Sequence, residues 1–183
     1  MKCLIAPFLF LAAGITALPP MTASAQTALP DSCTKDKKGK YGKEFEIPCK
    51  ALDDFLTTFN SKNEFAWAKT LNYPHVRMSG NQVTIWQTPE EYAKDQDLQK
   101  LAETIGWRNS RWNYRYVVQS GSDGKSNQVK YHVALSFTRL DEDGKPIPGH
   151  TFDSLYIITN TDGHWGTQFR SSMAGSLHGN SAY

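Results

Sequence analysis

The stretch that most constrains this chain begins after Gly106. Four long segments follow, each alternating apolar and polar residues with a period of two. In "WNYRYVVQ", Trp112, Tyr114, Tyr116 and Val118 fall on one face. In "KYHVALSFTR", Tyr131, Val133, Leu135 and Phe137 fall together, opposite His132, Ala134, Ser136 and Thr138. "TFDSLYIIT" places Asp153 opposite Tyr156. In "HWGTQFRSS", Trp165, Thr167 and Phe169 alternate with His164, Gln168 and Arg170. Such a period presents one continuous face only in a strand. The connections at 121–127, 141–149 and 161–163 are turn-rich, so the strands are expected to pair as an antiparallel meander.

The residues before Gly106 must cover that sheet, and they read as helices. Leu52, Phe55, Leu56 and Phe59 stand at i, i+3, i+4 and i+7, one apolar stripe. Ser61 and Glu64 have capping-box spacing. They predict a second, short helix that buries Phe65 or Trp67 with Ala68 and Leu71 and ends at Pro74. Thr88-Pro89-Glu90-Glu91 is a cap, a helix-opening proline and a second box. It predicts one helix from there to Ile105, with Tyr92, Leu98, Leu101, Ala102 and Ile105 inward and Gly106 as the stop. Two short strands, near 75–78 and 82–86, lie between. Helices followed by a sheet make an α+β fold.

The ends read differently. Lys2, an apolar run over 4–18 and Ala23-Ser24-Ala25 have the layout of a secretory signal peptide, expected to be cut after Ala25. Residues 26–47 are a polar segment, 48–175 the folded domain, and 176–183 a flexible tail. Export would place the chain in the periplasm or outside the cell, where Cys33 and Cys49 can form a disulfide. A loop of roughly 15 residues closed in this way is worth about 3 kcal/mol.

Several chemistries are argued against. "GSDGKS" lacks the first glycine of a phosphate-binding loop and precedes a strand, which makes it a turn. "DEDGK" lacks the ligand spacing of a calcium loop. The five histidines show no metal-binding spacing, and no nucleophile motif is present. The lysine run "TKDKKGKYGK" carries a single aromatic, and the formal net charge is only +2. Neither metal, cofactor, nucleic-acid partner nor membrane span is expected.

In its order of elements, and in "ALDDFLTTFNSKNEFAWAKTL", "YPHVRMSGNQVTIWQTPEEY" and "SLYIITNTDGHWGTQFRSS", the chain resembles the nuclear-transport-factor-2-like superfamily. That group includes ketosteroid isomerases and SnoaL-like polyketide cyclases, and the resemblance is to an exported bacterial member. It implies a cone-shaped domain, with N-terminal helices packed on a strongly bent antiparallel sheet and a pocket between them. It also implies a possible homodimer through the sheet. The early strand carries His75 and Arg77 where an isomerase would need a carboxylate base.

The candidate residues follow. His75 and Arg77 share one side of a strand, with Val76 and Met78 expected in apolar packing on the other. His75 is either a proton-transfer group or a strand histidine satisfied by backbone. Arg77 suits an acidic ligand or a surface ion pair. Trp86, Trp112, Tyr114, Tyr116 and Tyr156 are pocket wall or core, and Arg170 lines the pocket or a dimer surface. Three functions stay open. The first is an aromatic-lined pocket for a small apolar or acidic organic molecule. The second is a lyase, isomerase or cyclase using His75. The third is a non-catalytic structural or partner-binding dimer.

Overall fold

The computed structural model describes residues 29–121 and 130–172, with main chain only for 119–121. The expected signal segment, the 176–183 tail and most of the 121–127 turn lie outside the described residues.

Helix α1 (Glu46–Ser61) buries Leu52, Phe55, Leu56 and Phe59, the stripe its spacing requires. Helix α2 (Glu64–Ala68) buries Trp67 and Ala68 and leaves Phe65 exposed. Its cap is Asn63, whose side chain accepts from the Ala66 amide. Glu64 instead reaches across the chain and accepts from the Leu98 amide at 2.8 Å. Strand β1 (Leu71–Ser79) is longer than expected and contains Pro74. The proline falls where the β1 register shifts, a stretch with no ladder bond for it to break. Strand β2 (Gln82–Trp86) pairs with β1.

The expected long helix is two. Thr88 caps α3 (Pro89–Lys94), and Asp97 caps α4 (Leu98–Ile105) by accepting from the Lys100 amide. That second cap offers the chain an alternative to continuing one helix through 95–97. Gly106 stops α4 at φ +70°, a conformation that favours glycine.

Strands β3 (Asn109–Gly121), β4 (Lys130–Leu140), β5 (Pro146–Thr161) and β6 (His164–Ser172) are successive antiparallel neighbours. The sheet they join corrects the expected shape. Its order is β2-β1-β6-β5-β4-β3, and β1 runs parallel to β6, so the sheet is mixed. It is also open, with β2 and β3 as two separate edges, rather than an antiparallel sheet bent into a cone. Parallel neighbours need a long crossover connection, and the chain from β2 to β5 supplies it.

Two bulges also overturn the simple alternation. Tyr114 pairs with Ser136 while Trp112 pairs with Phe137, so Asn113 is an extra residue on β3. Beyond it, Arg115 and Val117 face the helices, and Tyr114, Tyr116 and Val118 do not share the face of Trp112. On β6, Phe169 pairs with Ile157 and Thr167 with Ile158, so Gln168 is extra. The bulge turns Arg170 inward, and the residue is only 7% exposed.

The helices cover one sheet face, where Phe55, Phe59, Trp67 and Tyr92 interlock with Trp107, Phe137 and Tyr156. Ring pairs such as Phe59–Trp107 (4.5 Å) and Phe55–Tyr156 (5.5 Å) each add about 1 kcal/mol beyond area burial. Cys33 and Cys49 form a disulfide. It ties the segment before α1 to that helix, beside the β3 edge. There the Ser32 amide bonds to the Arg115 carbonyl, while Asp31 and Asp53 neutralise the Arg115 side chain.

Toward β1 and β2 the other sheet face is apolar and uncovered by any described residue. Val76 pairs with Ile85, and Met78 with Val83. Met78 is 40%, Ile85 54% and Val83 58% exposed, so the expected packing of Val76 and Met78 is reversed. In β1 it is the polar pair, His75 and Arg77, that faces the helices.

Candidate functional site

His75 is fully buried. Its Nδ1 lies 3.0 Å from the Thr167 carbonyl, which can only accept, so Nδ1 carries the proton. Nε2 is then the acceptor, and it takes the Arg170 Nε–H at 3.0 Å. Burial first, and the Arg170 charge second, push the imidazole down to about 2, which keeps it neutral. The ring stacks on Trp86 at 5.9 Å and meets Tyr92 edge-on at 5.5 Å.

Arg170 is the centre of this cluster. Its guanidinium donates to the Tyr92 hydroxyl at 2.6 Å and lies over the rings of Trp67 (5.2 Å) and Phe55 (5.5 Å). Such π faces offset part of the cost of burying a cation. Burial opposes the Arg170 charge, but the phenols of Tyr92 and Tyr156 outweigh it, and the net shift is upward. The Tyr92 hydroxyl itself is pushed up to about 12 by burial.

Arg77 stands beside it. Arg77 pairs with Arg170 across β1 and β6, and Arg170 with Tyr156 across β6 and β5, so three side chains form one row. Arg77 is half-buried and makes no hydrogen bond or ion pair to any other described residue. Burial and the neighbouring Arg170 pull it down to about 10, still charged at neutral pH.

Arg77, Arg170 and Arg139 open onto a cavity walled by Phe55, Phe59, Trp67, Phe137, Phe152 and Tyr156. Arg139, on β4, lies over Phe152 at 4.8 Å and Trp107 at 5.6 Å. Water-sized molecules can centre in about 70 Å³ of this space. That is room for roughly five waters. Among the described residues, no aspartate or glutamate lines it. The Trp67 indole N–H is buried without a partner among the described residues.

Of the residues singled out in the sequence, His75, Arg77, Trp86, Tyr156 and Arg170 come together. Trp112 packs on Phe55 and Phe137 behind the cavity. Tyr114 bonds to Asp153 on the far face, and Tyr116 pairs with Ala134 there. Arg139, Tyr92, Trp67 and Phe55 were not foreseen as site residues. Arg139 had a signal, since it continues the inward phase of Tyr131, Val133, Leu135 and Phe137.

Among the described residues no cluster of His, Cys, Asp and Glu could hold a metal ion, and no helix is long and apolar enough to cross a membrane.

No family model matches the sequence. No curated protein matches it either. Solved structures do. A putative calcium/calmodulin dependent protein kinase II association domain from Xanthomonas campestris is 16% identical, with a TM-score of 0.53, over 79% of this chain and 94% of that one. A protein of unknown function with a cystatin-like fold from Nostoc punctiforme is 11% identical, with a TM-score of 0.52, over 69% and 86%. A ketosteroid isomerase-like protein from Erwinia carotovora atroseptica is 21% identical, with a TM-score of 0.50, over 72% and 96%. At these identities the likeness is one of fold. The chain has a cystatin-like fold, and its function must be argued from its own residues.

Proposed function

We propose that this protein binds a small organic anion, an aromatic carboxylate, in the arginine-lined cavity and performs no chemistry on it. One observation carries the reading. Arg77 and Arg170 are held side by side in register, against their mutual repulsion, in a cavity with no lining carboxylate among the described residues. A bound anion would supply the missing countercharge, and a guanidinium can grip a carboxylate with two parallel bonds. Donors exceed acceptors here, since the Trp67 N–H is also unpartnered among the described residues. The aromatic walls suit a ring.

His75 supports this reading in a different role from proton transfer. Both of its ring nitrogens are engaged and it is neutral, so it serves to orient Arg170. The lyase, isomerase or cyclase alternative would need another base. We further propose export to the periplasm or beyond, supported by the small-x-small signal at Ala23-Ser24-Ala25 and by the disulfide. A homodimer through the bare sheet face is supported by Met78, Val83, Ile85 and Leu155, all exposed there.

The test is calorimetric titration and thermal shift with benzoate. Wild-type protein is expected to be stabilised as RT ln(1 + [L]/Kd). Arg77→Met is expected to weaken binding at least tenfold, about 1.4 kcal/mol. No stabilisation by benzoate at millimolar concentration would overturn the proposal.

A further inference from the structure

The cavity does not stand alone. A second, open groove of about 530 Å³ lies against it and is lined by Thr84, Trp86, Asp95, Asp97, Lys100 and Thr104. Arg77, Gln96, Leu98 and Leu101 line both volumes. The two spaces therefore meet at the turn between α3 and α4 and at the Arg77 side chain.

Their chemistries are opposite. The inner wall is aromatic, with Arg77, Arg139 and Arg170 and, among the described residues, no acid. The outer wall balances Arg77 and Lys100 against Asp95 and Asp97 and adds two threonine hydroxyls. Asp95 and Asp97 are exposed and flank Gln96 in the chain, so a group passing Gln96 meets a carboxylate on either side. One oxygen of each is already occupied, Asp95 Oδ2 by the Trp86 N–H and Asp97 Oδ1 by the Lys100 amide. These bonds hold both side chains in place at the rim.

We infer that the ligand has two parts: an aromatic carboxylate head in the inner cavity, and a chain bearing hydrogen-bond donors, an amine or hydroxyls, that leaves past Gln96 into the outer groove. This rests on the anion reading of the inner cavity and adds the identity of the other end. A head without a chain leaves the groove empty. A chain ending in a second carboxylate meets Asp95 and Asp97. The site thus runs from a cationic, aromatic interior to a charge-balanced exterior whose two carboxylates stand at Gln96, and it favours an anionic head followed by a donor-bearing chain.

The experiment is calorimetric titration of the full chain with three probes: benzoate, benzoate with a para aminopropoxy chain, and benzoate with a para carboxypropoxy chain. The amine-bearing probe is expected to bind at least tenfold tighter than benzoate, and the carboxylate-bearing probe no tighter than benzoate. Thr104→Trp fills the groove from an exposed helix position and is expected to abolish the gain while leaving benzoate affinity within twofold. Asp95→Asn keeps the acceptor for Trp86 and is expected to cut the gain about threefold, the size of a screened single charge. If benzoate binds and neither chain improves it, or both improve it equally, the two-part ligand is overturned and the inner anion site stands. If none of the probes binds, both fall.

Discussion

A histidine buried with its lone pair committed makes a prediction about acid. His75 ordinarily titrates near 6.5 and is held at about 2 here. Between those values the unfolded chain binds one proton more than the folded one, so stability is lost as pH falls below 6.5. The slope is about 1.4 kcal/mol per pH unit. His75→Gln is expected to flatten this dependence in thermal melts between neutral pH and pH values well below 6.5. His150, lowered by burial and Arg139, leaves a smaller residue of the same sign. An unchanged slope would mean that His75 is not buried neutral. Arg77 makes the opposite kind of prediction. Removing an unpaired cation beside Arg170 relieves repulsion and desolvation, so Arg77→Met is expected to raise the melting temperature of the unliganded protein while weakening anion binding. A lower melting temperature would mean that Arg77 has a structural partner. At this scale the strand phase was readable for His75, Arg77 and Tyr156, because no bulge separates them from their local pattern. Arg170 was not, because an extra residue two places upstream reverses its face.

Among the elements, α3 is the one whose start was written most plainly. Thr88 accepts from the Glu91 amide at 3.2 Å, and Glu91 reaches back to the Gln87 amide at 2.7 Å, one residue before the cap. Thr88→Ala is expected to cost about 1 kcal/mol in denaturant melts. Tyr92, on the same helix, would lose part of its hold on Arg170, so benzoate affinity should fall with stability. The split between α3 and α4 was harder to read, since Asp95 and Asp97 also suit the exposed side of a continuous helix. The segment before α1 depends on its cross-link. Replacing Cys33 and Cys49 by serine is expected to cost about 3 kcal/mol, the entropy of a loop of that length. It would also loosen Asp31 from Arg115, which hydrogen exchange at the Arg115 and Val117 amides would report.

For the whole molecule, the helix-then-strand order made the α+β class legible from residue patterns alone. Pairing of β1 with β6 was not, because parallel neighbours far apart in sequence leave no local trace in a turn or a spacing. The bare face is a whole-molecule property too. Val83, Met78, Ser171, Leu155, Ala134 and Tyr116 run in register across the sheet, apolar but for the serine and the tyrosine hydroxyl. If two copies meet there, Ile85→Lys is expected to yield monomers in sedimentation velocity while benzoate binding persists. A wild-type monomer at high concentration would exclude the dimer.

Gln168 earns its place by position rather than by chemistry. It is the extra residue that the bulge absorbs, and beyond it Phe169 looks away from the helices and Arg170 toward them. A regular strand of the same letters, with no bulge, would put the phenyl ring in the cavity and the cation outside. Losing Gln168 itself would leave Thr167, Phe169 and Arg170 in simple alternation and keep Arg170 inward. What the cavity presents thus depends on where β6 carries its irregularity as well as on its letters. A change that shifted the bulge without altering the number of residues would be enough to change the ligand.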